Sequence, residues 1–304
     1  MMPSYNSLKI SIIIPFLNNI ELLKSCLYAL SNQTYPSEKC EIIVVDNGST
    51  ESLDSIQNNF PNVLLIQEIK SGSYCARNKG ITIARGNIIA FTDSDCIPSF
   101  DWLERGINAL LSHRNCGIIA GKIQIFFQDP SKPTLIELYE KVSAFPQEKY
   151  VRERQFGVTA NLFTFKSVIE DVGKFNDTLK SGGDREWGRR VANYGYQVFY
   201  ADKVCVKHPS RKTWQQLHTK IIRQTSGLLD IISLEENQRK LDDLINWLAY
   251  VLPSPRIIKL IIKDPEINGF FVKIQVIGIM LLVKLTRLYE SIVLFFKLKN
   301  KSYR

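Results

Sequence analysis

The amino-acid sequence predicts an α/β fold in which a mainly parallel central sheet is flanked by helices, with a helical extension at the C-terminal end. Two observations predict this fold. Over the first hundred residues, short continuous apolar runs typical of strands buried on both faces alternate with segments of helical periodicity. From about residue 213, helical segments interrupted by prolines replace the alternation. A repeated strand, helix, strand order requires right-handed crossovers and therefore a parallel sheet covered by helices.

The predicted strands place polar chemistry at one edge of the sheet. In chain order, the first predicted elements are strand 9–15, helix 20–30, strand 41–46, strand 63–66, helix 73–84 and strand 87–92. Later strands are predicted at 123–127, in the segment FGVTANLFTF and at 196–208, with a helix in REWGRRVANYG. Ligands of such sheets bind beyond the carboxyl ends of the strands, which here read Pro15, Asp46 and Asp93. We therefore expect the functional site at this edge.

Length and composition are those of a globular protein. The 304 residues suffice for one large α/β domain, placed at 1–212, and an extension, placed at 213–304. The chain is 45% hydrophobic and 23% charged, which excludes extensive disorder. Its six cysteines lack the spacing of a zinc site and are expected to be reduced thiols. The N-terminal apolar run is too short for a signal peptide, so we expect a cytoplasmic catalytic part.

The positive charge of the chain is concentrated near its C-terminal end. Residues 1–210 carry a net charge of +1, whereas residues 211–304 carry +8. Cations alternate there with apolar residues, and the run 274–283 is too short to span a bilayer, which takes roughly 20 residues. We expect this extension to lie on an anionic membrane surface without crossing it, which places the protein on the inner face of the cell membrane. The alternative is that its apolar faces pack on the catalytic domain or on a second subunit.

Three segments carry candidate ligands, two at predicted strand ends and one on the helix between the third and fourth strands. Asp93 and Asp95, two residues apart beyond a strand, are suited to a divalent cation that bridges to a diphosphate, although a surface turn also favours Asp. Asp46 is suited to a nucleotide base or ribose, or to closing an Asx turn with Gly48. Arg77 offers a cation to phosphate oxygens, and a solvated helix face is the alternative.

Two further segments offer a base and a metal ligand. Asp184 and Glu186 lie at a predicted helix start, where a carboxylate either caps the helix or removes the proton from an attacking hydroxyl. His208 lies at a strand end, where it is either structural or completes a metal site with the two carboxylates.

Seven segments, in order, resemble the signatures of family 2 glycosyltransferases, which have the GT-A fold. They are SIIIPFLNN, EIIVVDNGS, YCARNKG, FTDSDC, GVTANLFTFK, GGDREWGRR and VKH, and together they cover about residues 9–210. The resemblance implies that the donor nucleotide is bound by Pro15, Asp46, Asn47, Arg77 and Asp93. It implies that the metal ligands are Asp93, Asp95 and His208, holding Mn²⁺ or Mg²⁺.

The resemblance also bears on the base and the acceptor. Many members of the family read Glu-Asp where this chain has Gly183-Asp184, so the choice of base between Asp184 and Glu186 stays open. Asn161 and Trp187, which lie in two of the matching segments, are predicted on the acceptor side. The implied reaction moves a sugar, with inversion, from a nucleotide-diphosphate sugar to a hydroxyl of a carbohydrate or lipid-linked acceptor, in surface polysaccharide or glycolipid synthesis.

Two other functions remain as alternatives. A nucleotidyltransferase also places carboxylates and a metal beside a nucleotide, but it ordinarily has a Gly-rich phosphate loop, which Phe16–Asn19 is not. A non-enzymatic nucleic-acid-binding protein would use the basic extension, but this extension is apolar as well as basic and carries no recognised binding motif. We therefore expect no nucleic-acid partner.

Overall fold

The computed structural model describes residues 8–234 and 247–301. Over these residues it contains eight strands: β1 Ile10–Phe16, β2 Cys40–Asp46, β3 Val63–Gln67, β4 Ile88–Thr92, β5 Ile97–Pro98, β6 Cys116–Phe126, β7 Asn161–Phe165 and β8 Gln197–Pro209. The first eight helices are α1 Ile20–Ser31, α2 Asp54–Asn59, α3 Ser73–Ile83, α4 Trp102–Ser112, α5 Leu135–Ser143, α6 Gln147–Arg154, α7 Lys166–Val172 and α8 Gly183–Asn193. The later ones are α9 Trp214–Leu234, α10 Pro255–Lys263 and α11 Phe270–Lys301, and residues 247–251 are also helical.

The strands form one mixed sheet with the order β3-β2-β1-β4-β7-β6-β8-β5. Strands β1 to β4 pair in parallel, as their continuous apolar runs and intervening helices predict. Beyond β4 the described pairings are antiparallel: β7 with β4 and with β6, and β5 with β8. The predicted α/β fold is confirmed, and the sheet is parallel in one half and antiparallel in the other.

The parallel half is the centre of the core. Strand β1 is buried along its length except at Pro15, and β4 is buried throughout. Helix α1 packs Leu23 and Leu27 against the apolar cluster that contains both strands. Register pairs Phe16 with Asp46, so the carboxyl ends of β1 and β2 are level with one another. The polar residues that follow these strands therefore lie at a common edge, which is the predicted position of the site.

The chain divides into two compact units. The first comprises Met1–Gln124, Phe145–Thr178 and Gly183–His208. The second comprises Ile125–Ala144, Leu179–Gly182 and Pro209–Arg304. The predicted boundary at residue 213 lies close to the start of the last segment. The second unit nevertheless also takes α5, which the sequence places in the catalytic domain, because the apolar face of α5 packs on the C-terminal helices.

The second unit is held together by an apolar cluster and a buried ion network. Helix α11 places Val276, Met280 and Val283 in a cluster with residues of α5, α9 and α10. Glu140 of α5 is 1% exposed and binds Lys220 at 2.8 Å and Arg211 at 3.1 Å. Burial lowers the pKa of Lys220 to about 8, although Glu140 opposes that shift. Each charge in this network thus has a partner of opposite sign.

The apolar run 274–283 ends at Lys284 in the sequence, whereas helix α11 continues through this residue as one element. Lys284 is buried and donates hydrogen bonds to the carbonyls of Ala249 and Tyr250 at 3.0 and 2.8 Å. Because the ammonium group is satisfied inside the unit, it does not interrupt the helix. Within the described ranges, every helix falls short of the length and apolarity that crossing a bilayer requires.

Candidate active site

The edge beyond β1 and β2 is built by hydrogen bonds between loops. Asp46 accepts the peptide N–H of Ser49 at 3.0 Å, which closes the turn after β2. Asn18, in the left-handed region with φ 57°, accepts the N–H of Thr50 at 2.9 Å and so joins the loop after β1 to that turn. Pro15 pairs in register with Val45 one residue before these loops. The structure thus places Pro15 and Asp46 at the predicted edge.

The side chain of Asn47 forms hydrogen bonds within the protein. Its amide nitrogen donates to the carbonyls of Glu68 and Lys70, both at 2.9 Å, and its amide oxygen accepts the N–H of Gly72 at 2.6 Å. These bonds tie the turn after β2 to the segment that leads into α3. Asn47 therefore stabilises the loop beside the site. Because its side-chain atoms are engaged in these bonds, the structure does not support the predicted contact of Asn47 with the donor nucleotide.

Arg77 of α3 and Asp93 form an ion pair at the end of β4. Nη2 of Arg77 lies 2.5 Å from Oδ1 of Asp93. The guanidinium is buried and lies 5.6 Å from the centre of the Tyr74 ring. Its Nε is buried and has no hydrogen-bond partner among the described residues. The sequence predicts a donor contact for each of these residues. In the structure they form a salt bridge, so their opposite charges balance.

Asp95, which follows Asp93 by two residues, lies beside His208 at the end of β8. Nε2 of His208 is 3.5 Å from Oδ2 of Asp95, and the imidazole is buried against the ring of Phe145 at 4.7 Å. Cys96 joins them in a group whose potential ligand atoms lie within 4.8 Å of one another. Burial, with the charge of Asp95, raises the pKa of the Cys96 thiol well above its usual value. Mn²⁺ and Mg²⁺ prefer oxygen ligands to a soft sulfur ligand, so the Asp95 carboxylate and the His208 imidazole suit such a cation better than the thiol does.

Asp184 begins α8 as a carboxylate held by hydrogen bonds. Thr159 donates its hydroxyl to Oδ1 at 3.1 Å and its N–H to Oδ2 at 3.3 Å, and the N–H of Asp184 donates to the Tyr74 hydroxyl at 3.3 Å. Burial raises the pKa of Asp184 above its ordinary value, and the charge of Asp93 acts in the same direction. The Arg77 charge and the Thr159 hydrogen bonds oppose this shift. Asp184 therefore shares its electrostatic environment with the Arg77–Asp93 pair.

Glu186 is engaged in a different interaction. Its two oxygens bind Nε and Nη2 of Arg190, one turn later in α8, at 2.5 and 3.0 Å. Arg190 in turn donates to the carbonyls of Val172 at 2.8 Å and Lys174 at 2.6 Å. This chain of bonds fastens α8 to the end of α7. The two carboxylates that the sequence leaves open as bases thus have distinct surroundings: Glu186 is paired with Arg190, and Asp184 responds to the charges of Arg77 and Asp93.

The sequence of this chain is similar to those of known glycosyltransferases. The model for Glycosyl transferase family 2 matches residues 11–173, and Glycosyltransferase AglE of Haloferax volcanii is 36% identical over 253 residues, which cover 81% of this chain and 82% of the relative. The chain belongs to the glycosyl transferase family 2. It is an enzyme that transfers sugars, so glycosyl transfer displaces both alternatives, the nucleotidyltransferase and the non-enzymatic binding protein, as the main function.

Two more distant similarities agree with this family. A Methanococcus voltae protein named dolichyl N-acetyl-α-D-glucosaminyl phosphate 3-β-D-2,3-diacetamido-2,3-dideoxy-β-D-glucuronosyltransferase is 25% identical over 229 residues, covering 71% of this chain and 70% of that protein. The structure of mannosyltransferase PcManGT from Pyrobaculum calidifontis, in complex with GDP-Man and Mn²⁺, has a TM-score of 0.62 at 17% identity. It covers 94% of this chain and 87% of that one. The second similarity supports the predicted GT-A fold.

The structure gives a physical reason for one departure of this glycosyltransferase from its family. Many members carry Glu where this chain carries Gly183. A Cβ atom at Gly183 would lie 2.8 Å from two ring atoms of Tyr74, which is closer than side chains pack. The Tyr74 hydroxyl accepts the N–H of Asp184, so the ring cannot move away without losing that bond. Glycine at this position thus leaves room for the Tyr74 ring, which any larger residue would displace.

Two residues predicted on the acceptor side of this glycosyltransferase have structural roles instead. Asn161 is fully buried; its amide nitrogen donates to the carbonyls of Lys122 and Val204, and its amide oxygen accepts from the Trp102 indole. Trp187 is 1% exposed and donates its indole N–H to the carbonyl of Gly173 at 2.9 Å. Neither side chain presents a free polar atom or an open face, so the structure does not support an acceptor contact by either residue.

Sequence reasoning missed two residues that contact Asp184. Thr159 and Tyr74 lie in the segments GVTAN and YCARN, both of which carry the family resemblance. The sequence around Asp184 does not indicate these contacts, because Thr159 is 25 residues and Tyr74 is 110 residues away along the chain. A hydroxyl in a matching segment marks a candidate, and only the folded chain shows which carboxylate it holds.

Proposed function

We propose that this glycosyltransferase moves a sugar from a nucleoside diphosphate sugar to an acceptor hydroxyl, with inversion at the anomeric carbon and with a divalent cation. The observation that carries the proposal is the position of Asp184. It is a single carboxylate of raised pKa, held by Thr159, in the electrostatic environment of Arg77 and Asp93 but not bonded to either. A carboxylate in that state is suited to accept a proton during the reaction.

The diphosphate end of the donor is assigned to three side chains and a cation. Asp95 and His208 would hold the ion, and a bound cation neutralises the charge that develops on the departing diphosphate. Arg77 faces the same group as a fixed cation with an unpaired buried Nε, while Asp93 holds the guanidinium in place. The Mn²⁺ in the structure of PcManGT supports this cofactor class. The nucleoside is assigned to the edge formed by Pro15 and Asp46.

The proposed transfer step uses a single carboxylate, that of Asp184. Asp184 accepts the proton of the acceptor hydroxyl as its oxygen forms a bond to the anomeric carbon. On the opposite side of that carbon, the bond to the diphosphate oxygen breaks and the leaving group departs with the electron pair. A displacement of this kind inverts the anomeric centre. Retention by way of a covalent intermediate would need a second carboxylate free to act as a nucleophile, and Glu186 is instead bound by Arg190.

A lipid-linked acceptor is the class that the comparisons favour. The Methanococcus voltae relative is named for its action on a dolichyl-linked sugar phosphate, and the matching region covers most of both proteins. We therefore place this enzyme in surface polysaccharide or glycolipid synthesis, at the inner face of an anionic membrane. A soluble carbohydrate acceptor is the other member of the proposed class.

A donor panel tests the proposal directly. Purified protein is incubated with UDP-, GDP- and dTDP-sugars, with Mn²⁺ or with chelator, and the released nucleotide is identified. The expected result is a nucleoside diphosphate released from one donor group in the presence of the cation only. Release of pyrophosphate would indicate nucleotidyl transfer instead, and full turnover in chelator would refute the metal. Inversion is checked by the anomeric configuration of the product.

A further inference from the structure

Helix α11 presents apolar side chains on two opposite faces. One face lies in the core of the second unit, as described above. The other face carries five exposed aliphatic residues, each between 37% and 64% exposed: Ile274, Leu281, Leu285, Leu288 and Ile292. Successive intervals of seven, four, three and four residues place them on one line along the helix. This outer stripe is about 27 Å long at the rise of an α-helix.

The outer stripe carries no charge of its own. The charged residues between Ile274 and Ile292 are Lys284, Arg287 and Glu290. Lys284 is buried on the carbonyls of residues 249 and 250, Arg287 lies 4.1 Å above the ring of Tyr250, and Glu290 lies 3.5 Å from His218. Each is thus turned to a partner within the unit. A long, uncharged apolar face on a protein surface marks a site of contact with another apolar phase.

Two aromatic residues extend this face at the start of the helix. Phe270 and Phe271 are 73% and 79% exposed, and their rings contact one another at 5.9 Å. They follow Gly269, whose φ of 90° makes the turn into α11. Two neighbouring phenylalanines left almost fully in water are unfavourable unless a partner covers them.

The charge of the second unit distinguishes between the possible partners of this face. On α10, Arg256, Lys259 and Lys263 are exposed, and none of them is bonded to a carboxylate within the described residues. The nearest acidic side chains along the chain, Asp264 and Glu266, are both bound by Lys141, at 2.8 and 3.0 Å. Residues 211–304 together carry a net charge of +8. Two copies of such a surface repel one another, whereas anionic lipid attracts it.

We propose that the outer stripe of α11, together with Phe270 and Phe271, lies in the headgroup boundary of an anionic membrane, with the α10 cations contacting lipid phosphates. The helix then lies parallel to the membrane plane, with its inner face still in the core of the second unit. Amphipathic helices of this kind bury one face about 5–10 Å into the boundary. The inference gives a contact surface to the membrane association proposed above, and it holds whichever sugar the enzyme transfers.

Flotation with defined vesicles tests the proposal on the full-length protein. The probe is vesicles of phosphatidylcholine and phosphatidylglycerol in equal amounts, compared with phosphatidylcholine alone, at low and high salt. The stripe variant is Leu281→Gln, Leu285→Gln and Leu288→Gln combined, and the cation variant is Arg256→Gln, Lys259→Gln and Lys263→Gln combined. The matched controls are Leu64→Gln, an exposed apolar residue of β3, and Arg152→Gln, an exposed cation of α6.

The expected result is that wild type and both controls float with the anionic vesicles at low salt. The stripe variant should bind at least about tenfold more weakly at any salt concentration, because it loses apolar burial. The cation variant should bind at least about tenfold more weakly at low salt only. All variants change exposed side chains, so circular dichroism and hydrolysis of the donor sugar should stay at wild-type values. A protein without sugar-nucleotide turnover that still floats would refute the proposed function and leave this inference standing.

Two outcomes would overturn the inference. One is flotation of the stripe variant equal to that of wild type, with both folded. The other is wild-type protein that sediments as a dimer without lipid while the stripe variant sediments as a monomer, since a second copy would then be the partner of this face. In either case the membrane contact is not made by α11.

Discussion

The guanidinium of Arg77 and the carboxylate of Asp93 lie 2.5 Å apart at the end of β4. This pair changes the electrostatic argument for a metal. Asp93 and Asp95 have no basic residue within their own sequence segment, which suggests two uncompensated charges. In the folded protein Asp93 is paired with Arg77, so Asp95, beside His208, is the carboxylate that we propose to hold a cation. The Arg77–Asp93 pair thus fixes the guanidinium, and Asp95 with His208 is the proposed pair of metal ligands.

Replacing Arg77 should cost both stability and donor binding. In Arg77→Gln, Asp93 loses its charged partner in a partly buried place, and we expect the free energy of unfolding to fall by about 1–3 kcal/mol. Urea unfolding without donor measures this change. The donor dissociation constant should rise as well, because we propose that Arg77 contacts the diphosphate. Arg152→Gln, which breaks an exposed pair with Glu148, should change stability by less than about 1 kcal/mol. Equal effects of the two substitutions would contradict the role of the pair.

The sequence predicts the parallel half of the sheet well and the remainder less well, for a physical reason. Continuous apolar runs identify strands such as β1 and β4, but they do not encode the direction in which a later strand such as β7 enters beside them. Residue chemistry also finds Asp95, Asp184 and His208 as candidates. It cannot tell that Trp187 packs inside, because a polar segment with an aromatic residue is equally typical of a buried helix face and of a binding surface.

Removing either proposed metal ligand should weaken cation dependence selectively. We expect Asp95→Asn and His208→Gln to raise the Mn²⁺ concentration for half-maximal turnover by at least about tenfold. A Mn²⁺ titration after chelator treatment measures this. Cys96→Ala is the matched control, since a sulfur ligand is too soft to be preferred by Mn²⁺ and should not hold the ion. If Cys96→Ala shifts the titration as far as Asp95→Asn does, the assigned ligand set is incorrect.

The two carboxylates of α8 should give opposite kinds of defect. Asp184→Asn should lower kcat by about 10²–10⁴-fold with little change in donor affinity, because a base acts in the transition state. Glu186→Gln should keep kcat close to that of wild type and lower the free energy of unfolding by about 1 kcal/mol, because it weakens the bond to Arg190. Single-turnover rates and urea unfolding separate the two effects. A larger kcat loss in Glu186→Gln would exchange the roles.

The contact between Thr159 and Asp184 predicts a shift in pH dependence. If Asp184 is the base, as proposed, its ionised form accepts the proton, and kcat should fall as the pH falls through its pKa. Burial raises this pKa, and the Thr159 hydrogen bonds lower it by favouring the ionised form. Thr159→Val removes the hydrogen bond from the hydroxyl to Asp184. It keeps the hydrogen bond from the peptide N–H and nearly the same side-chain volume. The pKa should therefore rise, and the acid limb of the kcat profile should move to higher pH.

The conservative variant distinguishes this positioning role from a merely structural one. Thr159→Ser keeps the hydroxyl and should retain the wild-type profile, while Thr159→Val should recover most of its kcat at high pH, where Asp184 is ionised in both proteins. A structural defect would instead lower kcat by the same factor at every pH and leave the limb in place. An unshifted limb in Thr159→Val, with Asp184→Asn still inactive, would mean that Thr159 does not set the protonation of the base. The peptide N–H of Thr159 would then be the contact that does.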